Sequence, residues 1–169
     1  MSTVRIAPDE WRTAAETGAQ LRSAAGDPVG AAASVALPAA IHSELITWAK
    51  AGVHNEACGL IAGDRPAGEG GSATRFLPLA NSAKSPYRYL ISPDEQLAAM
   101  FDLDHADEVV WGIFHSHVAS AAVPSVTDIG LAFFSESLYL ICSLAAEPDV
   151  RAWTIEGGTV IEAELVIEG

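Results

Sequence analysis

The feature that most constrains the fold is the run EVVWGIFHSH, residues 108–117, which is almost continuously apolar until its two histidines. An unbroken apolar run of this length is typical of a β-strand that is covered on both faces. The segment SVTDIGLAFFSES, residues 125–137, has the pattern of a helix that begins at a serine. The sequence therefore predicts a central strand of an α/β sheet, with polar side chains gathered where that strand leads into a helix.

The remaining patterns predict a mixed central β-sheet flanked by helices. Apolar residues on one face predict a helix over 38–51, and a capping box at Ser92 predicts another that ends near Asp104. The hairpin of ACGLIAG and TRFLPLAN has a long Gly/Pro-rich loop, and a tight turn at Gly157 and Gly158 joins the last two strands. The strands are predicted at six short apolar runs: ACGLIAG, TRFLPLAN, YRYLIS, LYLICSLA, RAWTIE and TVIEAELVIE.

Composition divides the chain into an extension and one domain. Residues 1–34 are rich in Ala, Gly, Ser and Thr, with one helix predicted from Pro8 to Ala25. We expect this N-terminal extension to be partly helical or mobile. Residues 35–169 form the domain, and a chain of 169 residues that is 50% hydrophobic is able to bury one core.

The charge balance limits the partners. The 22 acidic residues against 9 basic ones give a net charge of −13, which opposes binding to nucleic acid and to anionic membranes. Charged residues near the N-terminus replace the apolar core of a signal peptide, and no run approaches the roughly 18 apolar residues of a membrane span. We expect a cytoplasmic protein without nucleic-acid or membrane partners, whose oligomeric state the sequence leaves open.

The polar residues at the strand-to-helix junction have the chemistry of a metal site. His115 and His117 are two apart on a strand, so their side chains leave the same face with α-carbons roughly 6.5 to 7 Å apart. Zinc binds imidazole nitrogen and carboxylate oxygen equally well, and Asp128 on the following helix suits a third ligand. Three protein ligands leave the fourth position for water, whose pKa zinc lowers toward about 7. We expect one catalytic Zn²⁺ per chain and a hydrolytic reaction.

Two further residues are candidates for catalysis. Glu56, at a loop-to-strand boundary in HNEACGLIAG, is long enough to act as a base on a bound water. Ser125 is placed to donate its hydroxyl to the oxyanion that forms when a carbonyl is attacked. Ser125 and Asp128 are also the residue types that begin a helix, so the pair gains functional meaning only from the histidines that precede it.

These residues resemble the JAMM or MPN+ zinc metalloprotease family. HSHVASAAVPSVTD matches its pattern of His-x-His, seven residues, Ser, two residues and Asp, and NEACGLIAG is similar to the segment with its catalytic glutamate. The resemblance runs from roughly Pro38 to the C-terminus and implies a single JAMM/MPN-like (cytidine-deaminase-like) domain. It implies that Glu56 is the general acid/base and Ser125 stabilises the tetrahedral intermediate. It implies that the metal ligands are His115, His117 and Asp128.

The short chain looks most similar to the bacterial and archaeal branch of the family. That similarity implies hydrolysis of the amide or isopeptide bond after the C-terminal Gly-Gly of a ubiquitin-like or sulfur-carrier protein, with release of cysteine or a lysine-linked protein. Val118 departs from the pattern, because many members have proline there. Since that proline supplies no ligand, the departure affects the shape of the loop more than the chemistry.

Two alternatives from other functional classes remain open. One is a non-catalytic MPN-type binding or scaffold module, and the other is a thiol hydrolase based on Cys58, although Cys58 is better explained as a buried core residue. His42, His54 and His105 are interpreted as ordinary histidines. Of these, His54 lies only two residues before Glu56.

Overall fold

The computed structural model describes residues 34–169, so the helix predicted from Pro8 to Ala25 lies outside the described residues. Within this part, a short 3-10 turn, Ala67–Glu69, interrupts the loop between the second and third strands. The strands and helices, in chain order, are β1 (Ser34–Pro38), α1 (Ala39–Gly52), β2 (Cys58–Gly63), β3 (Ala73–Leu79), α2 (Pro93–His105), β4 (Val109–His117), α3 (Val126–Gly130), β5 (Leu138–Ser143), β6 (Asp149–Glu156) and β7 (Thr159–Glu168).

The strands form one mixed sheet in the order β1-β7-β6-β5-β4-β2-β3. The pairs β1/β7 and β4/β5 are parallel, and the other pairs are antiparallel. The mixed sheet, the β2–β3 hairpin and the β6–β7 turn are thus as predicted. Gly157 and Gly158 both have positive φ, which is the conformation that a tight hairpin turn requires.

Strand β4 is covered on both faces, as its apolar sequence predicts. Trp111 and Phe114 belong to the hydrophobic cluster that includes buried residues of α1. Ile113 belongs to a second hydrophobic cluster, which includes buried residues of α2. The register against β2 shifts so that Trp111 is left without a partner, and this bulge puts Trp111 on the same face as Phe114. From Ile113 onward the alternation of the strand directs His115 and His117 to the α2 face.

The prediction of a strand at YRYLIS is wrong. This segment pairs with no strand in the described sheet, because side chains bond to the backbone groups that a strand would use. Asn81 Oδ1 accepts from the Leu90 N–H at 3.0 Å, and Asn81 Nδ2 donates to the Arg88 carbonyl at 3.0 Å. The N–H of Ser82 donates to the Leu90 carbonyl at 2.8 Å. The segment is an ordered loop that reaches α2.

The predicted helix over 125–137 is too long, because α3 ends at Gly130. Glycine is costly in a helix, and the N–H of Phe134 donates to the Tyr139 hydroxyl at 3.0 Å instead of continuing the helix. Strand β1 was not predicted, since its pairing with β7 joins opposite ends of the domain. In residues 34–169, none of the helices combines the length and the apolar character that crossing a membrane requires.

Candidate active site

Three side chains converge where β4 ends and α3 begins. The Nε2 atoms of His115 and His117 are 3.1 Å apart. Asp128, in the first turn of α3, places Oδ1 3.2 Å from Nε2 of His115 and Oδ2 3.3 Å from Nε2 of His117. The three side chains are 1%, 4% and 8% exposed, so the cluster is buried. The structure therefore brings together the three residues predicted as metal ligands.

The donor set of this cluster fits a zinc ion. The Nδ1 of His117 lies 2.7 Å from the Ala121 carbonyl, so Nδ1 carries the proton and Nε2 presents a lone pair in the neutral ring. Ligand atoms about 2.0 to 2.1 Å from a tetrahedral ion are about 3.3 to 3.4 Å from one another, close to the three observed separations. Two lone-pair nitrogens and a carboxylate in such contact are stabilised by a cation among them.

The electrostatics of the cluster also favour positive charge. Burial acts to raise the pKa of Asp128, but the charge of His115 and hydrogen bonds from both histidines and the Ser125 N–H hold that pKa far below its usual range. Burial acts to lower the pKa of His117, yet its hydrogen bonds to Asp128 and to the Ala121 carbonyl raise it. The carboxylate is therefore ionised, as a metal ligand must be.

Ser125 caps the helix that carries Asp128. Its Oγ accepts from the Asp128 N–H at 3.1 Å, and Asp128 Oδ2 accepts from the Ser125 N–H at 2.7 Å. This reciprocal pair is a capping box, and it fixes the carboxylate that faces the histidines. Because Oγ only accepts in this bond, the hydroxyl proton remains available to donate to another oxygen. Capping and oxyanion binding are therefore compatible in one serine.

Glu56 is held by hydrogen bonds on both sides of its backbone to the loop that follows β3. Its N–H donates to the Ser85 carbonyl at 2.9 Å, and its carbonyl accepts from Asn81 Nδ2 at 2.9 Å. The next residue, Ala57, donates its N–H to the Ser116 hydroxyl at 2.8 Å and accepts from the Ser116 N–H at 2.9 Å. The serine between the two histidines thus fixes the position of the glutamate segment.

The carboxyl of Glu56 is buried beside the histidine and aspartate cluster. The residue is 5% exposed, and Oε2 has no hydrogen-bond partner among residues 34–169. Burial is the largest effect and the charge of Asp128 the second, and together they raise the pKa of Glu56 from 4.5 to about 8 against an opposing effect of His117. A carboxyl whose pKa lies near neutrality suits a group that accepts and returns a proton.

Three residues around the site were not identified from the sequence. Ser116 was interpreted only as the spacer of His-x-His. Asn81 is the last residue of the predicted strand TRFLPLAN, and Tyr89 lies in YRYLIS, the segment wrongly predicted as a strand. The ring of Tyr89 stacks on the ring of His115, and Asn81 bonds to the carbonyl of Glu56. The only sequence signal was the polar Asn81 directly after an apolar strand, which does not reveal what it contacts.

The other candidate residues lie outside the cluster. Cys58 is fully buried, its Sγ is 3.6 Å from the Leu79 carbonyl, and burial foremost raises the pKa of its thiol to about 12. Its thiolate is thus strongly disfavoured, and the prediction of a buried core cysteine is confirmed. His54 and His105 are exposed and His42 is half-buried, which is consistent with their interpretation as ordinary histidines.

Comparison with known proteins relates this chain to one family. The sequence model of the prokaryotic homologues of the JAB domain matches residues 38–156. The CysO-cysteine peptidase of Mycobacterium tuberculosis is 36% identical over 115 residues, which are 64% of this chain and 73% of that protein. The desampylase of Haloferax volcanii is 34% identical over 100 residues, which are 59% of this chain and 70% of that protein.

Solved structures share the fold. A protein from Desulfitobacterium hafniense, solved in solution, is 36% identical with a TM-score of 0.70, covering 79% of this chain and 92% of its own. A JAB1/MPN domain protein from Archaeoglobus fulgidus is 16% identical with a TM-score of 0.50, covering 78% and 98% respectively. The second likeness concerns the fold alone.

Proposed function

Since this chain belongs to the family of prokaryotic homologues of the JAB domain, we propose that it is a zinc-dependent peptidase acting on a ubiquitin-like or sulfur-carrier protein. The bond it cleaves is the amide or isopeptide bond after the C-terminal glycines of that protein. The observation that carries the proposal is the convergence of His115, His117 and Asp128 beside the buried carboxyl of Glu56. The names of the CysO-cysteine peptidase and the desampylase support the substrate class.

In this proposal each residue has a defined task. His115, His117 and Asp128 would hold the zinc ion, which when bound would act as a Lewis acid toward the carbonyl and would lower the pKa of water. Glu56 accepts the proton of the attacking water at its carboxyl and returns it to the departing amine. The hydroxyl of Ser125 donates to the oxygen of the attacked carbonyl, while its cap keeps Asp128 in place.

A glycine-rich tail suits this arrangement. The proposed reacting groups are buried at a strand end, so substrate backbone has to lie close to them. Only glycine lets an extended backbone approach a surface without the bulk of a side chain. The bond after two C-terminal glycines is therefore the bond for which this site offers the least steric hindrance.

The two alternatives make different predictions. A binding module has no need for a buried glutamate whose Oε2 has no hydrogen-bond partner among residues 34–169, beside three converging ligand atoms, because burying such a carboxyl costs stability. A thiol hydrolase needs an accessible thiolate, whereas Cys58 is buried with a raised pKa. Chelator-sensitive activity that survives thiol alkylation is expected for the zinc peptidase and for neither alternative.

The decisive experiment is mass spectrometry of the full chain, loaded with zinc, after mixing with a sulfur-carrier protein that ends in a Gly-Gly-Cys adduct. We expect loss of the terminal cysteine, abolished by chelator and restored by zinc. A parallel reaction uses the carrier joined by its Gly-Gly terminus to a lysine side chain, to separate the two bond types. Cleavage of neither conjugate by protein that contains zinc would overturn the proposed substrate class, and cleavage that resists chelator would overturn the metal mechanism.

A further inference from the structure

The two histidines of the site are held in different ways. The Nδ1 of His117 donates to the Ala121 carbonyl at 2.7 Å, which is the usual way of fixing a metal-binding imidazole. The Nδ1 of His115 is buried and has no hydrogen-bond partner among residues 34–169. Within the described structure, hydrogen bonding therefore fixes the ring of His117 through Nδ1 but not the ring of His115. Another contact has to orient His115.

An aromatic ring provides that contact. The ring of Tyr89 stacks on the ring of His115, with centroids 4.8 Å apart and planes inclined by only 24°. Tyr89 is partly buried and packs against the core cluster on the α2 face, so it is not a freely moving surface side chain. A flat ring in face-to-face contact opposes rotation of the imidazole about its Cβ–Cγ bond, because rotation would push one ring edge into the other ring.

The position of Tyr89 is itself fixed by Asn81. The side chain of Asn81 bonds to the residues on both sides of the tyrosine, donating to the Arg88 carbonyl and accepting from the Leu90 N–H, each at 3.0 Å. The same amide donates to the carbonyl of Glu56 at 2.9 Å. One asparagine therefore sets the stacking ring and the proposed catalytic carboxyl relative to each other.

We propose that Tyr89 is a positioning residue that orients His115 for metal binding by stacking, in place of the hydrogen bond that orients His117. The inference rests on the proposed function, because it concerns the same metal site. The stacking surface is the ring and not the hydroxyl, so phenylalanine should replace tyrosine, whereas a non-aromatic side chain of similar bulk should not.

The test compares zinc affinity in full-length Tyr89→Phe, Tyr89→Leu and Tyr87→Leu, by competition with a chromophoric chelator. Tyr87 is the matched control, since it lies in the same loop and is 85% exposed. We expect Tyr89→Leu to bind zinc about 10- to 100-fold more weakly, the usual effect of losing support for a ligand. Tyr89→Phe and Tyr87→Leu should bind like the wild type. Wild-type affinity in Tyr89→Leu, or the same loss in Tyr89→Phe, would overturn the inference.

A second measurement separates this inference from the proposed function. The ring current of Tyr89 should shift the ring proton resonances of His115 in metal-free wild type and Tyr89→Phe, and the shift should be absent in Tyr89→Leu, with the His117 resonances little changed. Unchanged His115 resonances in Tyr89→Leu would refute the stacking, whatever the protein binds. A wild type that binds no zinc would instead refute the proposed function, and circular dichroism of each metal-free variant checks that it is folded.

Discussion

The site has two halves that are built in different ways. We call one of them the local half: it contains the ligand atoms, and its residues His115, His117, Ser125 and Asp128 lie within one strand, one loop and one helical turn. The other, which contains Glu56, is the assembled half. The polar groups of the local half bond largely to one another, through the capping box and the contact with the Ala121 carbonyl. The half with Glu56 is assembled from separate segments, and one oxygen of its carboxyl has no hydrogen-bond partner in the part of the chain that the structure describes.

The two halves show how one site combines order with reactivity. Hydrogen bonds hold His117, Ser125 and Asp128 of the local half in one arrangement, as convergence on a metal ion requires, while in our proposal stacking on Tyr89 orients His115. In the assembled half, Oε2 of Glu56 is buried without a hydrogen-bond partner among the described residues, and burial, followed by the charge of Asp128, raises the pKa of the carboxyl to about 8. Ser116 joins the halves, since it lies between the two histidines and its hydroxyl accepts from the Ala57 N–H. Each half can therefore be disturbed separately.

The largest effect is expected from removing a ligand in the local half. His117→Ala leaves two ligand side chains, so zinc affinity should fall by at least about 100-fold and activity should be lost with it. Metal analysis after dialysis measures this directly. His105→Ala, at an exposed position, should keep the zinc content of the wild type. A normal zinc content in His117→Ala would contradict the ligand assignment.

The next effect isolates the assembled half. Glu56→Gln keeps the shape of the side chain but removes the base, so turnover should fall about 10²- to 10⁴-fold while zinc binding is retained. The measurement is turnover of zinc-loaded protein, with Glu164→Gln on the exposed side of β7 as the control. Appreciable turnover by zinc-loaded Glu56→Gln would remove Glu56 from its proposed role.

The pH dependence of stability also distinguishes the halves. Because the pKa of Glu56 is raised in the folded state, folding favours the protonated carboxyl. The stability that this protonation contributes is fully present below about pH 4.5 and is lost as pH rises through about 8. In metal-free protein, Glu56→Gln should gain stability relative to the wild type between pH 5 and pH 9, by up to about 4 kcal/mol, since one pKa unit corresponds to about 1.4 kcal/mol. Urea unfolding at both pH values measures this gain. A stability difference between variant and wild type that does not change with pH would show that the pKa of Glu56 is not raised in the folded protein.

The smallest effect comes from the link between the halves. Ser116→Ala leaves the Ala57 N–H buried without its acceptor, which should cost about 1 to 2 kcal/mol and lower turnover about 10-fold by shifting Glu56. Ser137→Ala is the control, because it removes another buried hydroxyl, one that donates to the Val110 carbonyl. It should lower stability without lowering turnover. Equal turnover in the two variants would show that Ser116 does not position Glu56.

The sequence determined the local half and the central strand. Hydrophobic patterning predicted β4 as a strand covered on both faces, and the spacing from His115 to Asp128 predicted their convergence, because a strand end and the first turn of the next helix leave little freedom. Capping chemistry likewise predicted the start of α3 at Ser125, although not its end. These features depend on contacts between residues close in the chain.

The contacts between segments that are distant in the chain could not be predicted from sequence patterns. Whether Glu56 reaches the histidines depends on the pairing of β2 with β4, and the role of Asn81 depends on a loop that the pattern misassigned as a strand. The stacking of Tyr89 on His115 joins residues 26 positions apart that no periodicity relates. The physical reason is that such contacts are selected by packing of the whole domain, whereas propensity and spacing act only along a few residues of chain.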